Sequence, residues 1–144
     1  MMSSLRADWG TPATLFKTLD AEFHFVLDVC ATAETTKCPR WFNKSEDAFT
    51  KKWGKEANGR PIWMNPPYGR EIGAWVAKAC QESRLGATVV CLLPARTDTA
   101  WFHDYCLKGE IRLIRGRLSF EGQRKGRAPF PSMIVVFKKM GGGN

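Results

Sequence analysis

The sequence predicts an α/β domain in which helices cover both faces of a doubly wound, mostly parallel sheet, giving three layers. Apolar runs of strand length alternate with segments of helical periodicity along most of the 144 residues. The last two predicted strands follow one another without an intervening helix, which indicates an antiparallel pair near the C-terminus. We therefore expect a single domain over residues 1–144, with disorder only at the glycine-rich residues 140–144.

The composition is that of an ordinary globular protein with a basic excess. Apolar residues make up 44% of the chain and charged residues 25%. The net charge of +8 favours a polyanion such as nucleic acid as partner, although small basic domains also occur without one. No apolar run reaches membrane-spanning length, and residues 1–8 lack the apolar middle of a signal peptide. We expect a cytoplasmic protein without a membrane partner.

The cysteines and histidines argue against metal and disulfide chemistry. The five cysteines are odd in number and form no Cys-x-x-Cys pattern, and Cys80, Cys91 and Cys106 fall in apolar segments. Small buried thiols in a reducing compartment fit this usage better than disulfides do. His24 and His103 lie far apart in the sequence without a matching ligand cluster, so we predict no metal site.

The first helix and the first strand are predicted from a start signal and an apolar run. Thr11 is predicted as the N-cap and Pro12 as the first helical residue of a helix that runs to about Glu22. The residues from Phe23 to Leu27 are apolar enough for a buried strand that ends at Asp28. An acid at that position either contacts a ligand or caps a helix, and position alone favours neither.

Between Thr32 and Gly59 the patterns are weaker. Pro39 to Phe42 is compatible with a short strand, and Ser45 to Asp47 with the cap of a turn. The stretch from Lys51 to Arg60 is basic and surrounds Trp53. It either follows a phosphate backbone or is a solvated loop around one packed tryptophan.

The most informative segment is Asn65-Pro66-Pro67-Tyr68, which follows a predicted strand at Ile62 to Met64. Two prolines fix φ and remove two backbone donors, so the loop is stiff. It presents the Asn65 side chain, carbonyl oxygens and the Tyr68 ring at the carboxyl edge of the sheet, where open α/β folds bind ligands. Such acceptors suit an amino group and the ring suits a flat base, which predicts chemistry on an exocyclic amine. A proline-rich turn stabilised by asparagine is the alternative.

The next elements follow clear patterns. Apolar residues at helical spacing predict a helix that begins at Ile72 and ends at Gly86 as C-cap. Ala87 to Leu93 is a continuous apolar run, typical of a central parallel strand. Pro94 to Asp98 forms a polar loop at its carboxyl end, and Thr99 to Leu107 is predicted as a helix.

The remaining chain predicts the antiparallel pair. Ile111 and Leu113 indicate a strand that Gly116 interrupts, with Leu118 or Phe120 as candidates beyond the interruption, and Met133 to Phe137 is a second strand. Between them, residues 121–132 form a mobile basic loop, which either grips phosphate or is a solubilising hairpin.

Six segments, in order along the chain, together resemble the phage-type DNA adenine-N6 methyltransferases, a compact relative of the Dam enzymes. The resemblance covers about residues 8–137, and the segments are 8–12, 27–31, 65–68, 92–99, 114–118 and 130–132. Asn-Pro-Pro-Tyr alone is shared with amine methyltransferases that act on proteins and RNA. Its combination with Trp-x-Thr-Pro and Leu-Pro-Ala-Arg-Thr is far more specific.

The resemblance implies the class I, Rossmann-like methyltransferase fold, S-adenosylmethionine as methyl donor, and the N6 amine of a flipped adenine in double-stranded DNA as acceptor. Residues near the family's cofactor segments are expected to bind S-adenosylmethionine, with Glu46 as a looser candidate. They are Trp9, Thr11, Pro12, Asp28, Cys30, Ala31, Asp47 and Asn65.

The catalytic residues implied are Asn65, Pro66, Pro67 and Tyr68. The loop after Asp28 lacks the glycines that methyltransferase cofactor loops usually carry. This absence leaves open a catalytically silent basic DNA-binding domain on the same fold. An amine methyltransferase acting on RNA or on a protein glutamine is a second alternative, because planar amide nitrogens pose the same hydrogen-bonding problem as adenine.

The chain has no room for a separate target-recognition domain, so loops must contact DNA. The resemblance to phage enzymes suggests protection of viral DNA from restriction, or altered regulation. The predicted DNA-binding cations are Lys51, Lys52, Arg70, Arg96, Arg115, Arg117, Arg124, Lys125 and Arg127.

Overall fold

A computed structural model describes residues 9–32, 34–43, 45–120 and 126–140. The strands are β1 (Leu27–Asp28), β2 (Arg40–Trp41), β3 (Ile62–Met64), β4 (Val89–Pro94), β5 (Glu110–Leu113), β6 (Ser119–Phe120), β7 (Gly126–Arg127) and β8 (Ser132–Phe137). The helices are α1 (Ala13–Phe23), α2 (Trp53–Glu56), α3 (Ile72–Arg84) and α4 (Ala100–Asp104), with 3-10 turns at Ala48–Thr50 and Cys106–Lys108. None of the described helices is long and apolar enough to cross a membrane.

Six strands form one sheet in the order β2-β1-β3-β4-β8-β5. The first four of these are parallel, whereas β8 runs antiparallel to both of its neighbours. The carboxyl ends of β1, β3, β4 and β5 and the amino end of β8 therefore lie at one edge, which we call the carboxyl edge. The predicted mostly parallel sheet with an antiparallel pair near the C-terminus is confirmed.

Each face of the sheet carries its own apolar cluster, because successive strand residues point to opposite faces. On one face, Met64 and Cys91 join a cluster that includes Val76 of α3. On the other face, which we call the α1 face, Trp63 and Leu92 join a cluster that includes Phe16 and Leu19 of α1. Cys80, Cys91 and Cys106 are buried, as predicted. The two clusters produce the three predicted layers.

A buried ion pair attaches α2 to α3, and nothing in the sequence pattern announced it. Glu82 is 3% exposed, and its carboxylate accepts hydrogen bonds from the Trp53 backbone N–H at 2.8 Å and from Lys78 Nζ at 2.7 Å. Lys78 Nζ also donates to the Lys51 carbonyl at 2.8 Å. Both oxygens of the buried charge are thus paired, which offsets its desolvation.

The structure corrects the predicted start of the chain. Helix α1 begins at Ala13 with Pro12 at the N-cap position, and no side chain caps it, so Thr11 is not the cap. Phe23 belongs to the helix rather than to a strand, and His24 ends it in the left-handed conformation with φ 59°. The Asp20 carboxylate then accepts from the Phe25 N–H at 2.8 Å, which delays the strand to Leu27.

Several later predictions are confirmed and one is wrong. The short strand at residues 40–41, the turn capped by Asp47, the strand before Asn65 and α3 are all present. The helix predicted over residues 99–107 is instead α4 followed by a 3-10 turn. The predicted interruption at Gly116 is present: Gly116 adopts φ +75°, and beyond it β6 pairs with β7 in a separate hairpin. Residues 141–144 lie outside the described residues.

Candidate active site

Two acceptors on the N-terminal segment fix the orientation of the Asn65 side chain. Asn65 follows β3 at the carboxyl edge, and its Nδ2 donates to the Trp9 carbonyl oxygen at 2.6 Å and to Thr11 Oγ1 at 2.9 Å. A carbonyl oxygen can only accept, so the amide nitrogen must face Trp9 and Oδ1 must face away from it. Both amide hydrogens are thereby occupied.

The Asn65 Oδ1 atom is buried and has no hydrogen-bond partner among the described residues. Leaving such an acceptor unpaired costs about 1–3 kcal/mol, which folded proteins rarely tolerate without a reason. An oriented, unpaired acceptor at the ligand-binding edge of an α/β sheet is suited to receive a hydrogen from a ligand amine.

The structure gives Thr11 a different task from the one predicted. Thr11 is 4% exposed and its hydroxyl accepts from Asn65 instead of capping α1. Pro12 is also buried, at the N-cap position of α1. The predicted Trp9, Thr11 and Asn65 are thus brought together, although by direct contact with one another.

Tyr68 joins a cluster of four aromatic rings on the α1 face. Its hydroxyl donates to the Leu92 carbonyl at 3.2 Å, and burial raises the pKa of this phenol well above its usual value. Its ring centroid lies 5.6 Å from that of Phe130 and 6.4 Å from that of Phe120. Trp9 completes the group, at 5.1 Å from Phe120 and 5.3 Å from Phe130. We call these four residues the aromatic cluster.

The Asp28 side chain, at the end of β1, points into the loop that follows it. β1 pairs directly with β3. Its two carboxylate oxygens accept from the Cys30 and Lys37 backbone N–H groups, each at 3.2 Å. The residue is 3% exposed, and burial raises the pKa of its carboxyl from 3.8 to about 7. Asp28 therefore shapes the loop that carries the half-buried Cys30 and Ala31.

Asp47 lies farther from Asn65 along the sheet, since it follows β2. It is exposed, and its Oδ1 accepts from the Phe49 N–H at 3.0 Å as a turn cap. Among the described residues, no group of three or more His, Cys, Asp or Glu side chains is arranged to hold a metal ion.

The predicted DNA-binding cations divide into two groups. Arg70, Arg96, Arg115 and Arg117 are exposed on loops that leave the carboxyl edge after β3, β4 and β5, and Arg127 is exposed on the β6–β7 hairpin. The second group consists of Lys51 and Lys52, which precede α2. There the Lys51 carbonyl accepts a hydrogen bond from Lys78 Nζ in the middle of α3. Arg124 and Lys125 lie outside the described residues.

A surface cleft of about 450 Å³ lies at the opposite edge of the sheet, between the end of α3 and the ends of β5 and β8. Two of its polar groups already have partners: Lys138 Nζ lies 3.6 Å from Glu110, and Ser83 Oγ donates to the Cys80 carbonyl at 2.6 Å. It contains none of the residues around Asn65, so it is not the site of the chemistry described here.

Comparisons with known proteins agree with this arrangement. Residues 1–142 match the family described as "DNA N-6-adenine-methyltransferase (Dam)". The DNA N-6-adenine-methyltransferase of Haemophilus phage HP1 is 31% identical over 140 residues, covering 90% of this chain and 78% of the relative. The enzyme of the same name from Escherichia phage T1 is 30% identical over 102 residues, covering 70% of this chain and 41% of the longer relative. The chain therefore belongs to the DNA N-6-adenine-methyltransferase (Dam) family.

Proposed function

We propose that this chain transfers a methyl group from S-adenosylmethionine to the N6 amine of an adenine in double-stranded DNA, after the base has left the duplex. The observation that carries the proposal is the Asn65 amide, whose buried Oδ1 is unpaired while its Nδ2 is held by Trp9 and Thr11. Membership of the Dam family supports adenine N6 as the acceptor. Because its substrate is DNA, the chain is proposed to act in the cytoplasm, which is that of the host cell if the chain is phage-encoded.

The methyl transfer depends more on hydrogen-bond acceptors for the amine than on a general base that removes a proton from it. The amino lone pair of adenine is delocalised into the ring, so the nitrogen is a poor nucleophile. Asn65 Oδ1 and the Pro66 carbonyl each accept one amine hydrogen and draw the nitrogen toward tetrahedral geometry. Both oxygens also stabilise the positive charge that develops on nitrogen during attack. Pro66 and Pro67 contribute rigidity, because their rings fix φ throughout the loop.

Tyr68 and the aromatic cluster provide a surface for the extruded base. Flipping costs the stacking and pairing energy of the base, and aromatic contacts in the pocket offset it. Stacking of one base on an aromatic side chain is worth about 1–3 kcal/mol. Opening of the cluster to admit the base requires a shift of Phe130 or Tyr68, whose rings are 5.6 Å apart.

The residues at the carboxyl edge fit a methyl donor beside Asn65. Asn65 Oδ1, which has no partner among the described residues, is suited to hold the amine that such a donor methylates. The loop after β1 is close to this position because β1 pairs directly with β3, the strand that precedes Asn65. Cys30 and Ala31 on that loop, with Trp9 and Pro12, are the residues proposed to hold S-adenosylmethionine. When bound, S-adenosylmethionine supplies an electrophilic methyl group on a sulfonium. Asp28 acts by fixing the shape of the loop. Asp47, which lies farther away along the sheet, is assigned a more distant contact with S-adenosylmethionine.

The exposed cations at the carboxyl edge are proposed to bind the DNA backbone around the extruded base. Arg70, Arg96, Arg115 and Arg117 lie on the loops that follow β3, β4 and β5, and Arg127 lies on the β6–β7 hairpin. Phosphate contacts of this kind position the protein on DNA without reading sequence. Lys51 and Lys52 are assigned a peripheral contact.

Transfer of a tritiated methyl group from S-adenosylmethionine tests the proposal and its rivals together. Purified protein is incubated with duplex DNA, with RNA and with a protein fraction, and the products are hydrolysed. The proposal expects label in N6-methyladenine from DNA. Label confined to RNA or to glutamine would establish one of the other amine methyltransferases. DNA binding without transfer to any substrate would establish a silent copy of the fold.

A further inference from the structure

Ser132 carries a second buried polar atom without a partner at the carboxyl edge. The residue is 1% exposed, and its Oγ has no hydrogen-bond partner among the described residues. Ser132 is the first residue of β8, and the five that follow it are apolar, from Met133 to Phe137. A buried hydroxyl that no described residue pairs is costly to leave unpaired, so its position suits a hydrogen bond to a ligand.

The strand register places Ser132 on the same face of the sheet as Asn65. Ile134, two residues farther along β8, belongs to the cluster on the α1 face, and strand alternation puts Ser132 on that face as well. Asn65 follows Trp63 by two residues and lies on this face for the same reason. The Tyr68 ring also packs against the cluster on this face, beside Phe120 and Phe130.

Along the edge, Asn65 separates Ser132 from the β1 loop. The strand order puts β1 on one side of β3, and β4 and then β8 on the other. Asn65 is level with Leu92 and Ser132 with Pro94, so two strand spacings across the sheet and two residues along it separate their backbones, roughly 12 Å in all. A purine ring with one hydrogen bond at either end can span such a distance, and the aromatic cluster lies on the same face.

We propose that the Ser132 hydroxyl donates a hydrogen bond to a ring nitrogen of the target adenine. This inference rests on the proposed function and adds a base-contacting residue to it. The ring nitrogens of adenine only accept, and a serine hydroxyl can donate. Asn65 binds the exocyclic amine, and Ser132 binds the ring from the side of the pocket away from the β1 loop. Together they fix the base at two points, which a single amide cannot do.

The test combines Ser132→Ala with substrates that lack single ring nitrogens. Initial rates are measured on a short duplex that carries a site mapped with the wild-type enzyme, in which the target is adenine, 1-deazaadenine, 3-deazaadenine or 7-deazaadenine. Ser132→Ala is expected to lower kcat/KM on adenine about fivefold to tenfold, as loss of one neutral hydrogen bond does. One analogue is expected to lower the wild-type value by a similar factor. On that analogue, Ser132→Ala is expected to cause no further loss.

A stability measurement separates this role from a structural one. Removing an unpaired buried hydroxyl is expected to leave the Tm unchanged or to raise it by a few degrees, whereas loss of a native hydrogen bond lowers it. An equal loss of activity on all four substrates, or a lowered Tm, would overturn the assignment. Unchanged kcat/KM in Ser132→Ala would overturn it as well. If the wild-type enzyme methylated no duplex at all, the proposed function would fail first.

Discussion

Replacing Thr11 by valine removes the oxygen that orients Asn65 while keeping the shape of the side chain. In the folded protein, Thr11 Oγ1 accepts from Asn65 Nδ2 at 2.9 Å, and the residue is 4% exposed. In Thr11→Val one amide hydrogen of Asn65 keeps the Trp9 carbonyl and the other loses its acceptor. The amide then either stays in place with an unpaired hydrogen or rotates, which turns Oδ1 away from the position of the amine.

The expected magnitude follows from that single lost acceptor. An unpaired buried donor costs about 1–3 kcal/mol, which corresponds to a loss in kcat of about fivefold to about a hundredfold if the cost falls on the oriented amide. Thr11→Ser keeps the hydroxyl and is the matched control, with kcat expected within about threefold of the wild-type value. The Tm of Thr11→Val is expected to fall by a few degrees.

Initial rates of methyl transfer at saturating DNA and S-adenosylmethionine, measured beside thermal unfolding, provide the assay. A kcat in Thr11→Val equal to that of Thr11→Ser would refute the reasoning, because orientation of Asn65 would then not depend on the hydroxyl. Equal losses of activity in both variants would instead make Thr11 a packing residue.

Three further predictions follow from the same geometry. Tyr68→Ala is expected to lower kcat/KM about fivefold to a hundredfold by loss of stacking, while Tyr68→Phe loses less than tenfold; similar losses in both would assign the effect to the hydroxyl. Burial raises the pKa of Asp28 from 3.8 to about 7, so between these pH values the folded state retains a proton that the unfolded state releases. The free energy of unfolding is therefore expected to fall as pH rises from about 4 to about 7, by at most about 4 kcal/mol. Denaturation of Asp28→Asn at pH 5 and pH 8 should show a flatter dependence, and equal slopes would contradict the assignment. Arg115→Ala and Arg117→Ala should each reduce the slope of log K against log salt for DNA binding by about 0.9, whereas Lys108→Ala, at the opposite edge, should not.

Patterns local in sequence predicted most of the fold. The apolar run before Asn65 and the helical spacing after Ile72 depend only on neighbouring residues, and both elements lie where predicted. The predicted end of α1 was wrong because Phe23 is apolar in either element, and the deciding hydrogen bonds are made by Asp20. The interruption at Gly116 was predicted from the sequence, whereas the pairing of Phe120 with β7 was not, since the tertiary fold sets that pairing.

The sequence singled out the Asn-Pro-Pro-Tyr loop, but it did not predict the contacts that orient Asn65. Asn-Pro-Pro-Tyr predicts a site that binds an amine, because the hydrogen-bond acceptors and the aromatic ring lie in consecutive residues. The partner of Asn65 lies 54 residues earlier, where Thr11 beside a proline carries the signal of a helix cap. Ser132 belongs to a segment that carries the resemblance, but the sequence did not predict that its hydroxyl is buried at this edge without a partner among the described residues.

The central claim is that Asn65 holds the N6 amine of adenine during methyl transfer. It is tested most directly by nucleoside analysis of DNA from cells expressing the wild-type protein or Asn65→Ala, with binding of S-adenosylmethionine by both purified proteins measured by calorimetry. We predict N6-methyladenine in DNA from cells with the wild-type protein, none above background with Asn65→Ala, and similar affinity of both proteins for S-adenosylmethionine. Equal N6-methyladenine in the two DNA samples would contradict the account.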